Sequence, residues 1–229
     1  MKSDPRIVFD EVSHRYWCGN QELTSVTTLI NLFKPPFDRE RWSKHVANRD
    51  GKTVEEVLRE WDRSRDLSCA SGTLVHSFVE VLLSSPAGSS LELEIDSPIQ
   101  ASAISFLGDN PTSVAGPSSC EVMVCDPDLG LAGTVDFLGP FGGKLTILDW
   151  KTNKKIDKRG YGKMLPPIHH LPDCNFSVYS LQLNLYRRIL ASYDKVVDRM
   201  ALVHLREDGY KVYDVPVLDK EMDSILATM

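Results

Sequence analysis

The stretch Leu131-Ala-Gly-Thr-Val-Asp136-Phe-Leu138, followed by Pro140-Phe-Gly-Gly143 and Leu145-Thr-Ile-Leu-Asp149-Trp-Lys151, decides the fold. Residues 145 to 151 alternate, with Leu145, Ile147, Asp149 and Lys151 on one face and Thr146, Leu148 and Trp150 on the other, the period-two pattern of a strand. Residues 131 to 138 read as a second strand, and Pro140-Phe-Gly-Gly143 as the Gly/Pro-rich connection of a hairpin. Pairing the two strands can bring Asp136 beside Asp149, with Lys151 pointing the same way.

Two adjacent carboxylates repel and raise each other's pKa unless a cation neutralises them, and hard oxygen ligands with open positions suit Mg²⁺ or Mn²⁺. Such a metal lowers the pKa of a bound water and shields charge developing on a phosphate. An ammonium on the same face, Lys151, can orient or deprotonate that water and stabilise the charged transition state. Phosphodiester hydrolysis uses each of these groups. Asp-x-Lys alone says little: Asp50-Gly51-Lys52 repeats it in the same chain, and two acids and a lysine also make an ordinary solvated hairpin face.

Other segments add weight. In Ser71-Gly72-Thr-Leu-Val-His76-Ser-Phe-Val-Glu80, Leu74, Val75, Phe78, Val79 and Leu82 recur at helical spacing, which places His76 and Glu80 on one face. Imidazole among carboxylates favours Mn²⁺; the alternative is a helix histidine bonded to its i+4 carboxylate. Glu121 opens a mostly apolar strand, Glu121-Val-Met-Val-Cys125, where a charge needs a metal, a lysine or solvent as partner. Residues 177 to 190 read as a helix introduced by Pro172, Asp173 and Asn175. Gln182 and Tyr186 share one face of it, as a site amide and phenol or as the polar edge of an amphipathic helix.

In this order, Gly-x-x-x-His, a Glu strand, a Gly-x-x-Asp strand, an Asp-x-Lys strand and Gln-x-x-x-Tyr, the chain resembles the PD-(D/E)XK nuclease superfamily. The resemblance is to its RecB-like exonuclease branch, which includes phage exonucleases and the mitochondrial genome maintenance exonuclease. It covers about residues 69 to 205, and the opening Phe9 to Ile30 is similar to the N-terminal hairpin and helix of phage-type members. The resemblance implies that His76, Asp136 and Asp149 are metal ligands, joined by the Trp150 carbonyl, and that Lys151 is the catalytic lysine. It further implies that Glu121 supports the site or a second metal, and that Gln182 and Tyr186 serve the active site and DNA. Val135 stands before Asp136 where many members have proline, although RecB-like members commonly show Gly-x-x-Asp.

The net charge of −6 argues against a polyanion partner, but the charge is uneven. Lys151, Lys154, Lys155, Lys158, Arg159 and Lys163 fall within 13 residues against only Asp157, a segment suited to a phosphate backbone or to solvent. The loop that follows, through Tyr161 to Pro172, is long enough for a mobile flap, with Tyr161 placed to stack on a base. Arg39, Arg41, Lys44, His45 and Arg49 give the N-terminal part a second basic face. The five cysteines are scattered, so neither a disulfide framework, a zinc ribbon nor an iron–sulfur cluster is expected. No signal core or membrane-length apolar run stands out, and an intracellular, cytoplasmic location is expected, the host cytoplasm were the chain phage-encoded.

A length of 229 residues with 42% hydrophobic content suits one elaborated domain, residues 1–68 forming an N-terminal hairpin and helical extension and residues 69–229 the core. The expected architecture is α/β: a central mixed β-sheet flanked by helices, with the site at the sheet edge between two of them. The expected function is a Mg²⁺- or Mn²⁺-dependent DNA exonuclease acting on single-stranded DNA or DNA with a single-stranded end, in phage-type replication, recombination or degradation. An endonuclease of the same chemistry and a catalytically inactive DNA-binding module are the alternatives.

Overall fold

A computed structural model describes residues 3–13, 15–84, 94–110, 120–160 and 162–229. Strands β1 (Ile7–Asp10), β2 (Arg15–Cys18) and β3 (Gln21–Ser25) form an antiparallel meander that leads into α1 (Val26–Asn31). Next come α2 (Arg39–Asp50), α3 (Val54–Ser84) and α4 (Pro98–Asp109). The second half runs β4 (Cys120–Asp126), β5 (Leu131–Phe141), β6 (Lys144–Lys151), α5 (Asn175–Ala191), β7 (Arg199–Arg206), β8 (Gly209–Asp214) and α6 (Asp219–Leu226). The result is an α/β fold: a mixed sheet of eight strands among the described residues, flanked by helices, with an N-terminal strand hairpin.

Local chemistry sets these boundaries. Gly142 and Gly143 both take positive φ, the requirement of a two-residue turn whose twist matches its strands, so β5 and β6 join tightly. Gly51 ends α2 in the left-handed region, and Thr53 and Glu56 exchange side-chain and backbone hydrogen bonds to start α3. The sequence suggests separate helices around Trp61 and after Ser71. Instead α3 runs unbroken for 31 residues, because no proline intervenes and one interior glycine, Gly72, costs only about 1 kcal/mol. By length and composition this helix is apolar enough to cross a membrane, a test that core helices also pass.

The sheet forks at β5. Leu131 pairs with both Asp126 of β4 and Thr24 of β3, so those strands lie on opposite edges; Phe137 likewise pairs with Cys120 of β4 and Leu148 of β6. Strands β3 and β6 therefore share one edge of β5, with residues 133–136 between their registers. One face of the sheet packs against α1, α5 and α6 through residues such as Leu29, Leu181, Leu185, Ile189 and Met222. The other packs against α3 and α4 through Val75, Phe78, Phe106 and Trp150. Each fully buried Leu or Ile contributes about 1.5–3 kcal/mol by transfer.

The β4–β5 ladder turns over where it reaches this gap. Val122 and Val135, a register pair, face the α5 side, whereas the pair Cys120 and Phe137, two residues along, faces the α3 side. Side chains two apart on a regular strand share a face, so both strands rotate at the intervening residues, Glu121 and Asp136. Glu121 sits there at φ 45°, a left-handed conformation that costs a non-glycine residue about 1–3 kcal/mol.

The loop from Thr152 to Cys174 is not the flap its length predicts. Ile156, Met164 and Ile168 are buried in the core, Leu165 N–H donates to the Phe33 carbonyl at 2.7 Å, and Asp173 N–H donates to the Gly162 carbonyl at 2.9 Å. Asn175 fastens it further, accepting from Asp157 N–H and donating to the Lys155 carbonyl. The apolar residues spaced through the loop anchor it. Tyr161 lies outside the described residues, as do His14 and the connectors 85–93 and 111–119.

Candidate metal and active site

Strand alternation carries Asp149 and Lys151 to the α5 side of β6, as expected. Asp149 is 1% exposed, and among the described residues its Oδ1 has no hydrogen-bond partner. Lys151 Nζ approaches Asp149 Oδ2 to 2.6 Å, a buried ion pair that occupies Oδ2 and leaves Oδ1 as the open acceptor. The lysine has two neighbours: its ammonium also lies 4.4 Å from the centre of the Tyr179 ring. Burial lowers the Lys151 pKa, but the Asp149 and Asp136 charges outweigh it and the net shift is upward.

Asp136 extends the hairpin with its side chain. The β5–β6 ladder runs to Phe137 and Leu148, and one residue beyond, Asp136 Oδ2 accepts from Trp150 N–H at 2.9 Å. Burial, then the Asp149 charge, pushes its carboxyl up to about 7.

His76 reaches the same point from α3, on the opposite face of the sheet. Its Nδ1 lies 3.5 Å from Asp136 Oδ2 and 3.8 Å from Glu121 Oε1, while Nε2 lies 3.1 Å from the Trp150 carbonyl. Since a carbonyl only accepts, Nε2 donates there, which aims Nδ1 into the acidic group and fixes the ring as a carbonyl partner does for a metal-binding histidine. Burial lowers the His76 pKa, but Glu121, Asp136 and Asp149 raise it more, to about 9. The i+4 pairing with Glu80 is not used; Glu80 is exposed, and His76 faces Glu121 and Asp136 instead.

His76, Glu121 and Asp136 each offer a ligand atom within 4.8 Å of the others. Asp149 stands outside this group of three, turned to Lys151. The donor set, one imidazole and hard carboxylates beside the buried Asp149 carboxylate, fits a divalent cation. Nothing in it identifies the ion.

The Gly-x-x-Asp and Gln-x-x-x-Tyr segments meet. A Cβ on Gly133 would fall 2.6 Å from Tyr186 Cε1, so only glycine lets the phenol lie against β5. Tyr186 is buried, which pushes its phenol pKa up, and its hydroxyl accepts from Gln182 Nε2 at 3.2 Å. At Gly72, by contrast, a Cβ would make ordinary contact with Thr152.

Two clefts flank the carboxylates. One, of about 480 Å³, is lined by His76, Lys151, Asn153, Lys154 and Tyr179 together with the α3 residues Ser64, Ser68 and Cys69. The other, of about 340 Å³, lies over the gap in β5 and is lined by Phe9, Tyr16, Ser25, Thr28, Thr134 and Tyr186, among others. Of the basic segment, Lys154 borders the first cleft, while Lys155, Lys158 and Arg159 line a separate cavity of about 540 Å³. Lys155 is paired with Asp157, and Lys158 Nζ lies 4.5 Å from the Phe176 ring centre.

Sequence reasoning missed Asn153, Tyr179 and His204. Tyr179 stands one helical turn before Gln182, on the face of Gln182 and Tyr186, and that spacing is the signal that was readable. Nothing in the sequence marks His204, which β6–β7 register sets beside Lys151.

No family model matches the chain, and no curated protein matches it. Among solved structures, the crystal structure of SSO0001 is similar to it, at 17% identity over 90% of this chain and 73% of that one, with a TM-score of 0.37.

Proposed function

We propose that this chain is a metal-dependent nuclease of the PD-(D/E)XK type, a RecB-like exonuclease that hydrolyses DNA from single-stranded ends. The observation that carries the reading is the buried Asp149–Lys151 ion pair at 2.6 Å, standing beside the group His76, Glu121 and Asp136.

His76, Glu121, Asp136 and Asp149 would hold Mg²⁺ or Mn²⁺, which when bound supplies an acidified water and shields phosphate charge. Lys151 holds an ammonium against Asp149, from where it would orient the attacking water and stabilise developing negative charge. Tyr179 and Asp149 fix where that ammonium sits. On the α5 side Gln182 donates to Tyr186, and Tyr186, which lines the smaller cleft, would border a bound strand. Lys154 offers a phosphate contact at its rim. The exonuclease preference and the single-stranded end rest on the resemblance of the motif order.

The test is digestion of end-labelled linear and circular single-stranded DNA with Mg²⁺, Mn²⁺ or EDTA. Metal-dependent loss of the linear form alone supports an exonuclease; loss of the circle too makes the chain an endonuclease. Intact DNA throughout, with retained binding, leaves a binding module.

A further inference from the structure

We propose that His204 is a positioning residue for Lys151, acting through Asn153 and Tyr179; this rests on the nuclease reading above. His204 is 2% exposed. Its Nε2 lies 2.6 Å from the Asn153 carbonyl, and because a carbonyl only accepts, Nε2 carries the proton and donates. Its Nδ1 is buried and, among the described residues, has no hydrogen-bond partner. An imidazole left with one nitrogen orphaned is costly where an apolar side chain would pack, so what it secures is the single bond to Asn153. Asn153 in turn donates from Nδ2 to the Tyr179 hydroxyl, and the Tyr179 ring is the face over which Lys151 Nζ sits.

The relay closes on itself. His204 is the register partner of Lys151 across the parallel β6–β7 pair, so one end is fixed by the sheet. Asn153 lies just past the end of β6, where no ladder holds the backbone, and His204 takes the place of the missing ladder bond. Tyr179 belongs to α5, so the relay also locks that helix to the strand bearing the lysine. Loosening any member lets the ammonium move away from Asp149 while leaving the carboxylates where they are.

The experiment compares His204→Leu, His204→Gln, Tyr179→Phe and the His204→Leu/Tyr179→Phe double variant with wild type and Lys151→Ala. Two readouts are taken: kcat and KM on linear single-stranded DNA with Mn²⁺, and acylation of Lys151 by an amine-reactive ester in metal-free protein at one pH, followed by peptide mass spectrometry. His204→Leu should lower kcat by on the order of 100-fold with KM unchanged, the scale of a misplacement of about 1 Å. It should also speed Lys151 acylation. His204→Gln, whose amide nitrogen falls near Nε2, should restore most of both, and the double variant should be no worse than the poorer single one, as members of one relay are not additive. Unchanged kcat and acylation in His204→Leu, or equal losses in His204→Gln accompanied by a lower melting temperature, would overturn the proposal. Wild-type protein inert with both metals would overturn the nuclease reading instead, and the acylation arm would still decide the relay.

Discussion

Asp136 and Trp150 are joined by a side chain where the sheet stops being one: Asp136 Oδ2 takes the Trp150 N–H at 2.9 Å, continuing the β5–β6 ladder past its last backbone pair. The Trp150 carbonyl faces His76 Nε2, and the Asp136 Oδ2 that takes the Trp150 N–H is the same oxygen that lies 3.5 Å from His76 Nδ1. One hydrogen bond thus ties strand pairing to the arrangement of the acidic group, and several expectations rest on it.

Asp136→Asn keeps an acceptor for Trp150 N–H but removes a charge that Asp149 opposes. The metal-free variant should be as stable as wild type or more so near pH 8, while the rise in melting temperature on adding Mn²⁺ should be largely lost. Thermal unfolding with and without Mn²⁺ checks this; an undiminished metal response would remove Asp136 from the ligand set.

Lys151→Ala should lower cleavage by at least about 100-fold, the lower range for loss of a proton-transferring or charge-stabilising group, with DNA affinity retained. Single-turnover digestion alongside fluorescence anisotropy measures the two separately. Full activity in the variant would take the lysine out of the chemistry.

The stability of the metal-free protein should fall as pH rises from about 4 to about 9. The Asp136 carboxyl is raised to about 7 and the His76 imidazole to about 9, so across that window the folded protein holds protons that the unfolded chain has released. Each contribution is complete below the unfolded pKa and is lost as pH passes the folded one. A divalent cation competes for the same atoms, so its stabilising effect should grow over the same range. Melting curves at pH values of about 5.5 and about 8.5, with and without Mn²⁺, read both slopes; a metal response larger in acid would contradict the assignment.

Gly133→Ala should destabilise the fold by about 1–3 kcal/mol, the usual range for overpacking, because its Cβ would press on the Tyr186 ring. Chemical denaturation gives the loss directly. Tyr186→Ala in the same background should relieve part of it, and no relief would place the strain elsewhere.

Neutralising Lys154 should flatten the salt dependence of DNA binding by about one charge equivalent, and neutralising Lys155 and Lys158 together should have less effect than their number predicts. The first borders the cleft at the carboxylates; the other two line a different cavity and already engage Asp157 and the Phe176 ring. Binding titrations at several salt concentrations separate the two sets.

Much of this was legible in residue order. Alternation from Leu145 to Lys151 gave the strand and its polar end, since a period of two survives any packing environment. The helical spacing around His76 and Gln182 was readable for the same reason. What was not readable depended on contacts between distant segments. Glu121 and Asp136 converge because two paired strands rotate together, and no local pattern encodes that. The loop after Lys151 looked long and polar, yet three spaced apolar residues anchor it, a pattern with no period to reveal it. His204 reads as one more member of an apolar strand until the register places it beside Lys151.

The shared edge of β5 makes the width of the opening a matter of counting. From Ala132, the last residue paired with β3, to Phe137, the first paired with β6, the strand advances five residues, about 17 Å at the ordinary rise. The N-terminal hairpin and the hairpin that carries Asp149 and Lys151 are jaws mounted on one ruler. Lengthening β5 by two residues between Gly133 and Asp136 would spread them by about 7 Å and, with β4 lengthened to match, keep Asp136 beside Glu121, whereas adding one would turn Asp136 to the wrong side of the sheet. In chains with this topology the gauge of the opening is therefore set in steps of two residues, taken on β4 and β5 together.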